Sequence, residues 1–253
     1  MIHSALLATL GLPLTAFFSF WAIVFSLFRN REDNVHKVTG IWGRIMLALC
    51  NTKVEVHGGE NVLLGKPQVF MANHQSVFDI LITLAYLPGQ FRWIARKELF
   101  AVPLLGRAMR YAGHIAIDRQ NDEQTALSME EAAVRIRDGK SVMTFPEGSI
   151  SRNGQVKPFE QGMFSLAIES GAPIVPISIV GSAEILPRHS LKIRPGRVKM
   201  VIGKPVPTKK YTMENIPELI QKVRSVIIAN YRGARRTGAP GVLQARPETN
   251  TKD

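Results

Sequence analysis

At 253 residues the chain is long enough to bury a full core as one α/β domain with at most a small appendage, and its single cysteine, Cys50, excludes an internal disulfide framework. A formal charge of +12, from 32 Lys and Arg against 20 Asp and Glu, calls for an anionic partner: nucleic acid, an anionic membrane surface or a phosphorylated substrate. No His/Cys cluster has metal-ligand spacing, so no metal is expected; Cys50 stands too far from the polar motifs for a nucleophile, and a reducing compartment is expected.

From Met1 to Phe28 there is no Lys, Arg, Asp or Glu, and Leu6 to Phe28 is apolar apart from Thr9, Thr15, Ser19 and Ser26. Such a run reaches the length of about 20 residues needed to cross a bilayer, so a spanning helix and a helix lying in one leaflet both fit. A signal peptide fits least, because no basic residues precede the run and no small-residue cleavage site follows it. Arg29, Arg31, Lys37 and Arg44 come next and place the remainder on the cytoplasmic face by the positive-inside bias. Val38 to Cys50 carries Ile41, Trp42, Ile45, Met46 and Leu49 at near-helical spacing. Residues 1–50 are therefore expected to be two helices that dock on or in a membrane, the competing reading being two core helices of a soluble protein.

Strands are expected at Val54–His57, Val69–Ala72, Phe91–Ala95, Ile115–Ile117, Val142–Phe145 and Pro173–Val180, with a hairpin from Leu191–Ile193 into Val198–Ile202 across Pro195-Gly196. Helices are expected at Ile80–Tyr86, from Pro103 to Tyr111, over Glu123–Asp138 and Met163–Ser170, and from a Thr212 cap to Tyr231. Strands alternating with helices predict an α/β domain over residues 51–231, a layered central sheet flanked by helices. Residues 232–253, rich in Arg, Pro, Gly and Thr, read as a basic disordered tail.

Chemistry concentrates where strands end. Asn73-His74-Gln75-Ser76-Val77-Phe78-Asp79 joins a strand to a helix. Each helical residue turns about 100°, so His74 and Asp79 on one regular helix would point roughly 140° apart; a strand-to-helix turn can bring them together. If they meet, Asp79 accepts one imidazole proton and leaves the other nitrogen basic. Ser76 with Asp79 also fits an ordinary helix start, a capping hydroxyl followed by an acid in the first turn. Asp118-Arg119 follows a second strand, and Phe145-Pro146-Glu147-Gly148-Ser149-Ile150-Ser151-Arg152 a third, where free backbone N–H groups can hold an anion. All three motifs are predicted to share one rim of the sheet.

Four motifs in this order and spacing, the last being Ile174-Val175-Pro176-Ile177, resemble the glycerolipid acyltransferase family, most closely its bacterial 1-acyl-glycerol-3-phosphate (lysophosphatidic acid) type. The resemblance covers Val69 to Gly203 and implies His74 as general base and Asp79 as its orienting partner. It further implies an acceptor-phosphate site at Arg119, Arg152, Glu147, Gly148 and Ser149, and an acyl-chain region at Pro176; Glu147 fits equally well as a structural residue bonded to backbone or paired with an Arg. Arg96 and Lys97 are candidates for oxyanion or phosphate contacts, as is the backbone of the opening motif for the oxyanion, and Lys157 for the phosphate. Ser149 stands where the family has Thr, keeping a hydroxyl; Ile150 stands where it has Arg, losing a bidentate phosphate donor.

The implied reaction moves a fatty acyl group from acyl-coenzyme A or acyl-carrier protein to the sn-2 hydroxyl of 1-acyl-glycerol-3-phosphate, giving phosphatidic acid at the cytoplasmic face of the inner membrane. Its partners are the lysolipid, the acyl donor and a membrane lipid surface, without nucleic acid, and no cofactor is implied. Ile150 keeps glycerol 3-phosphate, a lysophospholipid or lyso-ornithine lipid open as acceptors. A non-catalytic module for anionic lipid would explain the charge but leaves the polar motifs without a purpose, and no Gly-x-Ser-x-Gly elbow supports a serine hydrolase.

Overall fold

A computed structural model describes residues 2–118, 120–151, 154–187, 190 and 192–237. Among these residues seven strands, β1 (Thr52–His57), β2 (Val69–Ala72), β3 (Arg92–Arg96), β4 (Ile115–Ile117), β5 (Val142–Thr144), β6 (Ile174–Val180) and β7 (Gly196–Ile202), form one sheet in the order β1-β7-β6-β2-β5-β3-β4. Strands β2 to β6 are mutually parallel; β7 runs antiparallel to β6 and parallel to β1. Parallel strands buried on both faces need apolar residues at every position, which is why β2 reads Val-Phe-Met-Ala without alternation.

Period-two pleating sends Phe70 and Ala72 to one face and Val69 and Met71 to the other. The first face is covered by α2 (Arg31–Leu49) and α3 (Phe78–Tyr86), the second by α6 (Asp122–Arg137), α7 (Gly162–Ser170) and α9 (Ile216–Arg236). The layered α/β expectation is met. Helix α2 comes close to α3 because Gly40 and Gly43 carry no Cβ: one added at Gly43 would stand 3.0 Å from the Leu81 carbonyl oxygen. The short α4 (Lys97–Phe100) and α5 (Leu105–Tyr111) join β3 to β4, and α8 (Ser182–Ile185) follows β6.

Helix α1 (Ile2–Phe25) packs on α2 and α5, with Ala22, Val35, Val38, Ala108 and Ala112 between them. Its other side is apolar and exposed at Leu12, Phe17, Phe20 and Trp21, and the exposure continues through Leu27 and Phe28. Among the described residues no helix is long and apolar enough to cross a membrane.

Four elements differ from expectation. The hairpin is absent among the described residues, Leu191 lying outside them: the Ile193 N–H donates to Ser4 Oγ (2.8 Å) and the Arg194 N–H to the Ile185 carbonyl (2.9 Å), while β7 takes β6 as its antiparallel partner. Helix α9 continues to Arg236, correcting the start of the tail, because its buried stripe of Ile216, Leu219, Val223, Ile227 and Tyr231 carries through Ala234. Arg235 and Arg236 then meet the negative end of the helix dipole. The remainder of the proposed tail, 238–253, lies outside the described residues. Helices α4 and α8 are absent from the expectation, four residues each being too few to show a period.

At the edge of the sheet opposite the ends of the parallel strands, Arg92 is fully buried and ties the start of α2 to β3. Its Nε meets Glu32 at 3.2 Å and its Nη2 meets Asp33 at 2.7 Å, while Arg135 holds the other Glu32 oxygen at 3.2 Å. Gly113, with φ of 73°, leaves the space that Glu32 occupies: a Cβ there would lie 2.6 Å from its carboxylate. Burial, with the nearby Arg92 charge, lowers His36 to about 4; burial, with the charges of His36, Arg92 and Arg135, lowers His114 to about 3. Removing Arg92 as Arg92→Ala is expected to cost about 3–5 kcal/mol in chemical denaturation, because it strips buried partners from Glu32 and Asp33. The histidines' folded values lie below the unfolded 6.5, so the unfolded chain binds more protons below that pH. Thermal stability should therefore hold above pH 6.5 and fall as pH drops toward 4, and His36→Phe should flatten that fall.

Candidate active site

The parallel strands deliver their C-terminal ends to one rim, and the polar motifs sit there as predicted: His74 to Asp79 after β2, Arg96 and Lys97 at the end of β3, Asp118 after β4 and Phe145 to Ser151 after β5. Arg119 and Arg152 lie outside the described residues. Their chain neighbours Asp118 and Ser151 are on the rim.

His74 and Asp79 meet across the strand-to-helix turn. The imidazole Nδ1 lies 2.9 Å from Asp79 Oδ2, which also accepts the N–H groups of Gln75 (2.7 Å) and Ser76 (2.9 Å). Asp79 is fully buried and the His74 side chain 12% exposed, so the carboxylate is shut off from water while the imidazole keeps a small exposed surface. A buried carboxylate favours the Nδ1–H tautomer, which leaves Nε2 with its lone pair. The helix-start reading is met only in part: Ser76 Oγ accepts weakly from the Phe78 N–H (3.3 Å) and donates to the Leu186 carbonyl (2.8 Å), while Asp79 in the first turn serves the loop before it.

The third motif braces the imidazole from a neighbouring strand. The Phe145 ring stacks on that of His74, centroids 3.9 Å apart and planes 4° from parallel. Glu147 does not face outward to a phosphate. Buried, it accepts the His74 N–H at 2.8 Å on one oxygen and the Lys157 N–H at 2.9 Å on the other. Burial pushes its carboxyl up from the ordinary value, against the pull of those two donors. The Ser151 N–H donates to the His74 carbonyl at 2.9 Å, so the two loops are joined at three places. Gly148 takes φ of 71°, a left-handed conformation that makes the turn possible.

Lys157 points away from the phosphate role: its Nζ donates to the carbonyls of Glu147 (2.9 Å) and Ser149 (3.2 Å) and to Ser149 Oγ (2.7 Å). Three donors meet three acceptors within the loop, and the Ser149 hydroxyl is engaged with them. The backbone of the opening motif is likewise committed, since the N–H groups of His74, Gln75 and Ser76 go to Glu147 and Asp79; they are not oxyanion donors. Lys97, half-exposed, pairs with Asp118 and holds that carboxyl below its ordinary value, while Arg96 makes an exposed pair with Glu98 at 3.3 Å. Pro176 lies inside β6, paired with Met71, its carbonyl accepting from the Gly203 N–H at 2.8 Å. Cys50 is buried, which raises its thiol to about 11. Among the described residues no group of three His, Cys, Asp or Glu could hold a metal ion.

Sequence reasoning missed the stacking of Phe145, the bracing by Lys157 and the amide of Asn73, which bonds both ways to the Ile179 backbone (2.9 and 2.7 Å) and fixes the end of β2 against β6. A buried Asn directly before the His was the available signal for the last.

The family model described as Acyltransferase matches residues 53–180. The chain is 32% identical over 194 residues to human 1-acyl-sn-glycerol-3-phosphate acyltransferase alpha, covering 76% of this chain and 69% of that protein. It is 32% identical over 180 residues to a chloroplastic 1-acyl-sn-glycerol-3-phosphate acyltransferase of Brassica napus, but the match spans only 52% of that longer protein. Its fold matches the crystal structure of the 1-acyl-sn-glycerophosphate (LPA) acyltransferase PlsC from Thermotoga maritima with a TM-score of 0.77 and 25% identity, over 97% of this chain and 96% of that one.

The bridging role of Glu147 is testable without any substrate. Glu147→Gln keeps the shape but replaces one acceptor oxygen with a donor, leaving a backbone N–H unpaired, and should destabilise the fold by about 1–3 kcal/mol in denaturant titration. A change within about 0.5 kcal/mol, as for an ordinary surface site, would show that the carboxylate is not a bridge.

Proposed function

This chain belongs to the Acyltransferase family, and on that footing we propose that it transfers a fatty acyl group from acyl-coenzyme A or acyl-carrier protein to the sn-2 hydroxyl of 1-acyl-glycerol-3-phosphate, forming phosphatidic acid. The observation that carries this reading is the 2.9 Å contact between His74 Nδ1 and the buried Asp79, which leaves Nε2 as a base on the open side of the rim.

In the proposed reaction His74 Nε2 takes the acceptor's hydroxyl proton as its oxygen attacks the thioester carbon. A tetrahedral oxyanion forms, then collapses: the carbon–sulfur bond breaks, the carbon–oxygen bond remains, and the imidazolium returns the proton to the leaving thiolate. The step balances without metal, redox cofactor or covalent enzyme intermediate. An oriented general base supplies about 10²–10⁴ in rate. Phe145 and Glu147 keep the imidazole in place by stacking on its ring and bonding its backbone. Strands lie about 4.8 Å apart, so the end of β3, two strands from β2, is roughly 10 Å from the base. That distance suits Arg96 and Lys97 for the acceptor's phosphate; Arg119 and Arg152 take the same role on the family resemblance alone, and Lys97 is also the candidate for the oxyanion. The exposed apolar side of α1 supports docking of the two-helix segment on the cytoplasmic face of the inner membrane.

Ile150 favours a second reading in which the acceptor is glycerol 3-phosphate, another lysophospholipid or lyso-ornithine lipid, because the bidentate donor of the family is missing. In lipid vesicles, His74→Ala and Asp79→Asn should each lower kcat by about 10²–10⁴ with circular dichroism unchanged; near-normal turnover by His74→Ala would refute the mechanism. Offered a mixture of acceptors, the enzyme should acylate 1-acyl-glycerol-3-phosphate first. Preference for a phosphate-free acceptor would establish the second reading instead.

A further inference from the structure

The turn between α4 and α5 holds apolar side chains out where a soluble surface would carry polar ones. Leu99, Val102 and Leu104 are 39%, 43% and 42% exposed, with Pro103 exposed among them. The backbone is specified, not loose. Phe100 is buried as an anchor, the Gly106 N–H bonds the Val102 carbonyl at 2.8 Å, and a Cβ at Gly106 would fall 2.1 Å from the Phe100 carbonyl oxygen. Leu104 adopts φ of 60° and ψ of −55°, a conformation strained for a residue with a Cβ. Strain kept at a leucine that still stands 42% exposed asks for a use outside the chain.

Position and charge identify the occupant. The turn leaves the sheet from the end of β3, the same rim that carries His74. Val77, three residues from His74, is also exposed there. Arg96 and Lys97 precede the apolar tip and Arg107 and Arg110 follow it; Arg96 is paired with Glu98 and Lys97 with Asp118. Helix α5, which the turn feeds, also packs against α1. Three bulky aliphatics between pairs of cations match a lipid interface, with side chains among the acyl tails and guanidinium or ammonium groups at anionic headgroups.

We infer that the α4–α5 turn is a second point of insertion into an anionic lipid bilayer. This rests on the membrane docking of α1 proposed above and adds to it. One attachment leaves the molecule free to tilt, whereas α1 and the turn together hold the rim against the lipid surface. A lysolipid then reaches His74 by lateral movement, its phosphate beside Arg96 and Lys97 and its chain still among lipid tails.

The test places an environment-sensitive NBD probe at Leu104→Cys, at Phe17→Cys on α1 and at Leu127→Cys on the exposed surface of α6, each on the full chain; Cys50 is buried and does not compete for label. Vesicles of phosphatidylethanolamine and phosphatidylglycerol with doxyl-labelled tails report depth. Expected is a blue shift with quenching at positions 17 and 104 and neither at 127. A response at 17 with none at 104 would overturn the second insertion point and leave α1 docking intact; no response at either would remove both. Leu104→Asp, which suits a positive φ better than Leu, should lower turnover of vesicle-embedded lysolipid about tenfold and leave a short-chain, monomeric acceptor unaffected. Equal loss on both acceptors, or binding of label 104 to a protein and not to vesicles, would contradict the inference.

Discussion

One carboxylate oxygen, Asp79 Oδ2, organises this molecule's chemistry. It receives His74 Nδ1 and the N–H groups of Gln75 and Ser76 within 2.7–2.9 Å, and so converts the passage from β2 to α3 into a closed turn that aims an imidazole outward. Three donors around one buried acceptor fix both tautomer and ring orientation before any substrate arrives. The rest of the rim exists to keep that turn in place. Asn73 pins it to β6, Glu147 and Ser151 tie it to the loop after β5, and Lys157 closes that loop on itself.

Much of the fold was legible because a parallel sheet writes itself plainly. Val69–Ala72, Ile115–Ile117 and Val142–Thr144 are short apolar runs ending at polar motifs, and each became a strand with its motif at the rim. What the sequence hid was pairing. Nothing in Leu191–Ile202 says that β7 will insert between β1 and β6, because that choice depends on which backbone groups α1 and α8 have already taken.

The site divides along the same line. His74 and Asp79 could be named because their chemistry requires those side chains at a strand-to-helix junction. Glu147 reads from sequence equally as a phosphate contact or as a residue bonded to backbone, and its two oxygens accept backbone N–H groups; Lys157, a candidate for the phosphate, spends its charge on acceptors of its own loop. Phe145 stacks on the imidazole through a neighbouring strand, a relation visible only once β2 and β5 are paired. Charge also does separate work at the two ends of the sheet. Around buried Arg92 it is balanced and fastens the α1–α2 segment; at the rim, the cations Arg96 and Lys97 are 68% and 49% exposed, where an anionic substrate can reach them.

The orientation of one imidazole is the premise of everything proposed for this protein, and nitrogen NMR of histidine labelled in the ring reads it directly. With the chain in lipid nanodiscs at a pH where His74 is neutral, the account requires the proton on Nδ1 and a bare lone pair on Nε2, with the pattern lost in Asp79→Asn. A proton found on Nε2 in the wild-type protein would leave no base facing the rim and would contradict the account.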